Sequence, residues 1–322
     1  MNPYIGHEQQ LYGVEELRLV GGKADGMRIL QVRNGSGLEL TISLDRCADL
    51  SRVTLGGVNF GYFSPCGYVS PTYYDKEGSG FLKSFTAGFL TTCGLSNIGT
   101  PCTDEGIEFP LHGTISNTPA EQVGYWIQNE EIHIKAVMRD ATLFSHQLIL
   151  EREYIVPLFL NELRINDNVK NIGSCETPIQ ILYHCNVGYP LLDENTVVSI
   201  PYDHVTPRNL HAAEDIENCL KMEPPQRGYE ERCYYYAFNK KPKISIYHPI
   251  LKKGFVMSYS SESLKCFTEW KMMGEFDYVL GVEPGNAFPD GRDVMREKGM
   301  LETLKPQEEK MFELKFEFEE DR

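Results

Sequence analysis

The clearest pattern along this chain is alternation. Across residues 131–139 the apolar set Ile132, Ile134, Ala136 and Met138 alternates with Glu131, His133, Lys135, Val137 and Arg139, and only Val137 breaks the second set. Successive side chains of a strand point to opposite faces, so this predicts a half-buried strand. The runs HQLILEREYIV and FLNELRIND continue the pattern, with a turn over 168–174, and PIQILYHCNVGYPLL predicts a strand entering a Gly-Pro turn. Near the N-terminus, residues 14–62 read as short strands divided by Asn34-Gly35 and Gly56-Gly57, the chemistry of tight hairpins. Strands resume with KISIYHP, GFVMSYS and KCFTEWKM, and the chain closes on FELKFEFEE, where Phe312, Leu314, Phe316 and Phe318 alternate with polar residues. No amphipathic helix longer than three turns and no fixed-period repeat is predicted. The expected fold is all-β: one large antiparallel sandwich, a single domain over residues 1–322.

Two stretches depart from alternation. Residues 64–110 are rich in Gly, Ser, Thr, Pro and aromatics, too apolar for a disordered linker, and are expected to form an ordered loop of the kind that lines sites. Residues 201–242 hold Pro201, Pro207, Pro224, Pro225 and Pro242, many charges and one helix-like piece, AAEDIENCLKM. They are expected to form an insertion within the domain.

Composition narrows the function classes. With 31 basic and 46 acidic residues among 322, the formal charge is −15, a surface that repels phosphate backbones, so no nucleic-acid partner is expected. The nine cysteines are odd in number and contain no CxxC pair, against both a disulfide framework and a zinc ribbon. The start MNPYIGHEQQ lacks the basic and apolar parts of a secretory signal, and no apolar run approaches the ~18 residues of a membrane span. A cytoplasmic protein without a membrane partner, monomer or homodimer, is expected.

Candidate chemistry centres on YVLGVEPGNAFPDGRD. An apolar run leads to Glu283, and Pro284-Gly285 then break it, so a carboxylate is held by a strand and delivered to its end. His112, between Pro110 and Gly113 in PLHGTISNTPAE, and His184, ending an apolar strand in ILYHCNVGYP, have similar settings. Three ionisable groups with an apolar approach and a Gly- or Pro-bearing exit suggest one rim. Arg46 and Lys271 are candidate hydrogen-bond donors to a polar substrate, and Arg292 is a candidate either for substrate or for pinning its own turn. Trp270 and Tyr183 are candidates to stack on a ligand or to fill the core.

PLHGTISNTPAE, LYHCNVGYPLLDE and GVEPGNAFPDGRD, with TCGLSNIG and LDRCADL, resemble the aldose 1-epimerase (galactose mutarotase) superfamily, in particular its divergent aldose 1-epimerase-like branch, over roughly residues 20–318. The resemblance implies a β-supersandwich whose concave face binds a monosaccharide. It implies Glu283 as the base that takes the anomeric proton, His184 as the acid that protonates the ring oxygen, and His112 as a partner for a sugar hydroxyl or the ring oxygen. No cofactor and no metal are implied. The setting Tyr183-His184-Cys185-Asn186 and the Pro284-Gly285 exit differ from the galactose enzymes. The sugar is therefore open among another hexose, a pentose, a deoxy sugar and a modified sugar. The same acid and base are also compatible with epimerising another carbon.

Two other readings stand beside this one. Two histidines and one carboxylate are the ligand set of non-haem iron oxygenases, although the close HxD or HxH spacing of such sites is missing. A sugar-binding module without catalysis is the other, and such a module needs neither acid nor base.

Overall fold

The strands form where the alternation places them. In the strand Glu131–Ala141 the residues Ile132, Ile134, Ala136 and Met138 are buried, and in Glu309–Glu320 the buried set is Phe312, Leu314, Phe316 and Phe318. Burying each of these larger side chains contributes about 1.5–3 kcal/mol, which is what fixes the register of a strand with one wet face. The computed structural model describes residues 3–238 and 241–320. Residues 239–240, within the expected 201–242 insertion, and the extreme ends of the expected 1–322 domain lie outside the described residues.

Large antiparallel sheets build a β-sandwich. An eight-stranded sheet runs in the order Gln122–Gln128, Glu131–Ala141, Gln147–Pro157, Glu162–Asn171, Glu309–Glu320, Lys253–Tyr259, Lys243–His248 and Val197–Ser199. A second sheet runs His204–Pro207, Arg232–Ala237, Cys266–Met273, Tyr278–Gly285 and Thr177–Val187, and the last of these also pairs with Leu90–Leu95. A five-stranded N-terminal sheet spans Gly13–Arg18 to Val58–Asn59. One continuous apolar core joins all three, drawing Leu40 and Val53 from the N-terminal sheet, Ile134 and Phe316 from the eight-stranded sheet, and Tyr183 and Val282 from the second.

Within this core lies a charged cluster that alternation does not announce. Arg152 is fully buried, bonds both oxygens of Asp167 at 2.9 and 2.6 Å, and reaches Asp49 Oδ1 at 2.6 Å and Thr92 Oγ1 at 2.7 Å. Tyr183 donates to the same Asp167 at 2.8 Å, so its ring belongs to the core and does not reach a ligand. Buried charges are tolerated when each is paired and hydrogen-bonded, as here.

The 201–242 section takes a more integral part than an insertion. It supplies the strands His204–Pro207 and Arg232–Ala237 to the second sheet. The aromatic run Tyr234-Tyr235-Tyr236 carries this strand, with Tyr234 and Tyr236 in the core, and the surrounding prolines and charges mask it. AAEDIENCLKM yields only the short turns Leu210–Ala213 and Ile216–Asn218. All nine cysteines are free, and no helix among the described residues is long and apolar enough to cross a membrane.

Candidate functional site

Strand alternation sets the polarity of the second sheet. On Tyr278–Gly285, Leu280 and Val282 face the core, so Gly281 and Glu283 face the opposite side. On the neighbouring Thr177–Val187, Tyr183 and Cys185 face the core and His184 turns outward. Cys185 pairs with Val282 across the ladder, which brings the two outward residues together. His184 Nε2 lies 3.2 Å from Glu283 Oε1, without the alignment of a hydrogen bond. The strand continues through Gly285, so Glu283 lies inside it and is only 2% exposed. Gly281 makes room for this: a Cβ there would stand 2.3 Å from Glu283 Oε1.

His112 reaches the same place from a loop. Its backbone is left-handed, φ 58°, and is fixed by bonds from its N–H to Gly99 O and from Gly94 N–H to its own carbonyl, both 3.0 Å. The Gly99 N–H also donates to His112 Nδ1 at 3.3 Å. A donor of this kind needs a lone pair, so Nδ1 is unprotonated and the neutral ring carries its hydrogen on Nε2. The His112 and His184 ring centroids are 5.6 Å apart, and Trp270 stands edge-on to His184 at 5.3 Å. His112, His184, Glu283 and Trp270 line one cleft of about 300 Å³, at the small end of ligand sites.

Electrostatics oppose the charges that residue type alone suggests. Burial lowers His184 to about 4 and, with repulsion from His184 and Arg208, lowers His112 to about 3. Burial raises Glu283 well above the usual carboxylate range; Glu231 adds to this and Arg208 opposes it. Burial thus favours the uncharged form of each partner, the protonated carboxyl and the neutral imidazole. Glu283 Oε1 and Thr268 Oγ1, on paired residues of neighbouring strands, are buried without a hydrogen-bond partner. Orphaned buried polar atoms on a cleft wall are what a polar ligand would satisfy.

Of the other sequence candidates, Trp270 lines this cleft and three cations do not. Arg46 is buried and donates to the carbonyls of Ser116, Val69 and Ser84 at 2.7–2.9 Å, fastening the 64–86 loop. Lys271 follows Trp270 on its strand, so alternation turns it inward, where Nζ donates to Asn218 O at 3.1 Å. Arg292 bonds Asp104 Oδ2 at 2.7 Å and lies over Phe109, which makes it the pin of its own turn. Each cation is already supplied with acceptors elsewhere. Arg208 and Glu231 line the cleft and escaped the sequence reading. Arg208 follows the strand His204–Pro207 and donates to Thr100 Oγ1 at 3.0 Å and Pro289 O at 3.2 Å. Glu231 Oε2 accepts from Trp270 Nε1 at 2.7 Å. Both stand in the proline- and charge-rich section, and the aromatic run Tyr234-Tyr235-Tyr236 was the signal that a strand lay beside them. Among the described residues, no group of three or more His, Cys, Asp or Glu side chains is placed to hold a metal ion.

Residues 24–318 match the family described as Domain of unknown function (DUF4432). The chain belongs to this family. No curated protein matches the sequence. Among solved structures, this DUF4432 protein is similar to a candidate aldose 1-epimerase from Klebsiella pneumoniae, with TM-score 0.91 and 26% identity over 98% of this chain and 86% of that one. It is also similar to a galactose mutarotase-like protein from Clostridium acetobutylicum, with TM-score 0.69 and 16% identity over 97% of this chain and all of that one. A galactose 1-epimerase from Lactobacillus acidophilus gives TM-score 0.66 and 14% identity over 97% and 100% of the two chains. The last two likenesses establish the fold alone. The galactose mutarotase-like β-sandwich expected from the motifs is thus the fold of this DUF4432 chain, and its structural neighbours include aldose 1-epimerase-like proteins.

Proposed function

We propose that this protein is an aldose 1-epimerase-like isomerase that interconverts the anomers of a monosaccharide by acid–base ring opening. The observation that carries this reading is the meeting of Glu283, His184 and His112, from three distant segments, in one monosaccharide-sized cleft. The reaction needs a base at the anomeric hydroxyl and an acid at the ring oxygen, and each is worth about 10²–10⁴ in rate.

In the reactive form Glu283 is a carboxylate and His184 an imidazolium. Glu283 takes the proton of the anomeric hydroxyl, the O–H electrons form the C1 carbonyl, the bond from C1 to the ring oxygen breaks, and that oxygen takes the proton of His184. Ring opening leaves both side chains neutral, the state that burial favours. Rotation about C1–C2 and the reverse transfers close the other anomer. The reactive ion pair holds as many protons as the neutral pair, so the two are tautomers of one protonation state, with Glu283 and His184 side by side at 3.2 Å. Nε2–H of His112 supplies a fixed neutral donor to the ring oxygen or a hydroxyl.

Saturation-transfer NMR across a panel of aldoses tests the reading. Wild-type protein is expected to accelerate exchange of at least one sugar, with Glu283→Gln and His184→Ala each losing at least 10²-fold. Binding without exchange would instead make the protein a sugar-binding module. Exchange that survives both substitutions would remove these residues from the chemistry.

A further inference from the structure

The cleft is polar at one end and apolar at the other, and sheet order fixes which end is which. Across the sheet the strands run His204–Pro207, Arg232–Ala237, Cys266–Met273, Tyr278–Gly285, Thr177–Val187 and Leu90–Leu95. Arg208, Glu231 and Thr268 lie on or beside the first three, Glu283 and His184 on the next two. Beyond His184 the wall comes from the loop that leads into Leu90–Leu95. Phe85 packs on His184 with centroids 5.5 Å apart, and Phe81 packs on His112 at 5.2 Å. Leu111 joins these rings in a small apolar cluster, and Leu82 lines the same wall. None of these four side chains can hydrogen-bond.

We infer that the substrate is a 6-deoxyaldohexopyranose, whose methyl group lies against the wall of Phe81, Leu82, Phe85 and Leu111. The inference rests on the mutarotation reading, because that reading orients the ring. With the anomeric hydroxyl at Glu283 and the ring oxygen at His184, the vector from C1 to the ring oxygen points from the polar end towards the apolar one. C5 is bonded to the ring oxygen, so its exocyclic carbon falls on the phenylalanine side. C2 is bonded to C1 on the other flank, so its hydroxyl falls towards Thr268, Glu231 and Arg208. With the His112 Nε2–H engaged on the ring oxygen, a hydroxymethyl group on C5 would bring its oxygen to four side chains that offer it no hydrogen bond and lose hydration there, whereas a methyl group loses nothing. Such a wall rejects an added hydroxyl by up to about 10²-fold.

The test measures kcat/KM for anomer exchange on sugar pairs that differ only in the oxygen on C6: D-fucose with D-galactose, L-fucose with L-galactose, L-rhamnose with L-mannose, and 6-deoxy-D-glucose with D-glucose. In the pair of the correct configuration the deoxy sugar is expected to exceed its parent by at least about 10-fold. Leu82→Gln places an amide on the wall at a residue that is 57% exposed, a change the fold tolerates, and is expected to bring that ratio towards one. Hexoses that exchange as fast as their deoxy partners, or a ratio that Leu82→Gln leaves unchanged, would overturn the inference and leave mutarotation standing. Absence of exchange with every sugar would overturn the mutarotation reading, and this inference with it.

Discussion

Gly281→Ala is the sharpest test of the site's geometry. Gly281 has no left-handed backbone to strain, so the consequence lies in contacts alone. An added Cβ would stand 2.3 Å from Glu283 Oε1 and 3.0 Å from Trp270 Cβ. Ordinary van der Waals separation is about 3.5 Å, so the carboxylate must retreat by about 1 Å. The carboxylate is the far end of a flexible side chain, so the retreat is expected to cost about 1 kcal/mol, the low end for overpacking, and Trp270 needs only a small shift. Catalysis is less forgiving. The retreat breaks the 3.2 Å approach to His184 Nε2, and a 1 Å misplacement of a reacting group costs about 10²-fold in rate. Anomer exchange by NMR and thermal unfolding on the same preparation separate the two effects. The expected result is a melting temperature close to wild type with exchange reduced about 10²-fold. Wild-type exchange in Gly281→Ala would show that Glu283 does not act from the position described.

Two further predictions come from the buried charges. Below about pH 4 His184 gains a proton while Glu283 keeps its own, the carboxylate is lost, and exchange falls. As pH rises through the raised Glu283 value, the pair loses its single proton and exchange falls again; between these limits kcat/KM is flat. A pH profile with its acid limb near the ordinary imidazole value of about 6.5 would contradict this coupling. Arg152→Met leaves Asp49 and Asp167 buried without their cation and is expected to cost about 3–5 kcal/mol in denaturant unfolding. A loss below about 1 kcal/mol would mean that the cluster is not closed as described.

The sequence by itself determined most of the strands, the fold class and the three residues that meet in the cleft; Leu90–Leu95, His204–Pro207 and Arg232–Ala237 lay in stretches it marked as loop and insertion. Alternation sorts a strand into two faces wherever one face is buried, which is why 131–141 and 309–320 were legible; Gly and Pro drew attention to Glu283, His184 and His112, although the first two lie inside their strands and His112 lies in a loop. Only the tertiary structure decided which polar groups face the ligand. Arg46, Lys271 and Arg292 have the right chemistry, but each finds its acceptors in a segment distant in sequence: the carbonyl of Ser84, the carbonyl of Asn218 and the carboxylate of Asp104. Arg208 and Glu231 reach the cleft because Arg232–Ala237 pairs with the Trp270 strand, a long-range pairing that local composition conceals. The same limit applies to charge. Residue type suggested an ionised glutamate beside a protonatable histidine, whereas burial, a property of the assembled sheets, withdraws the charge from both.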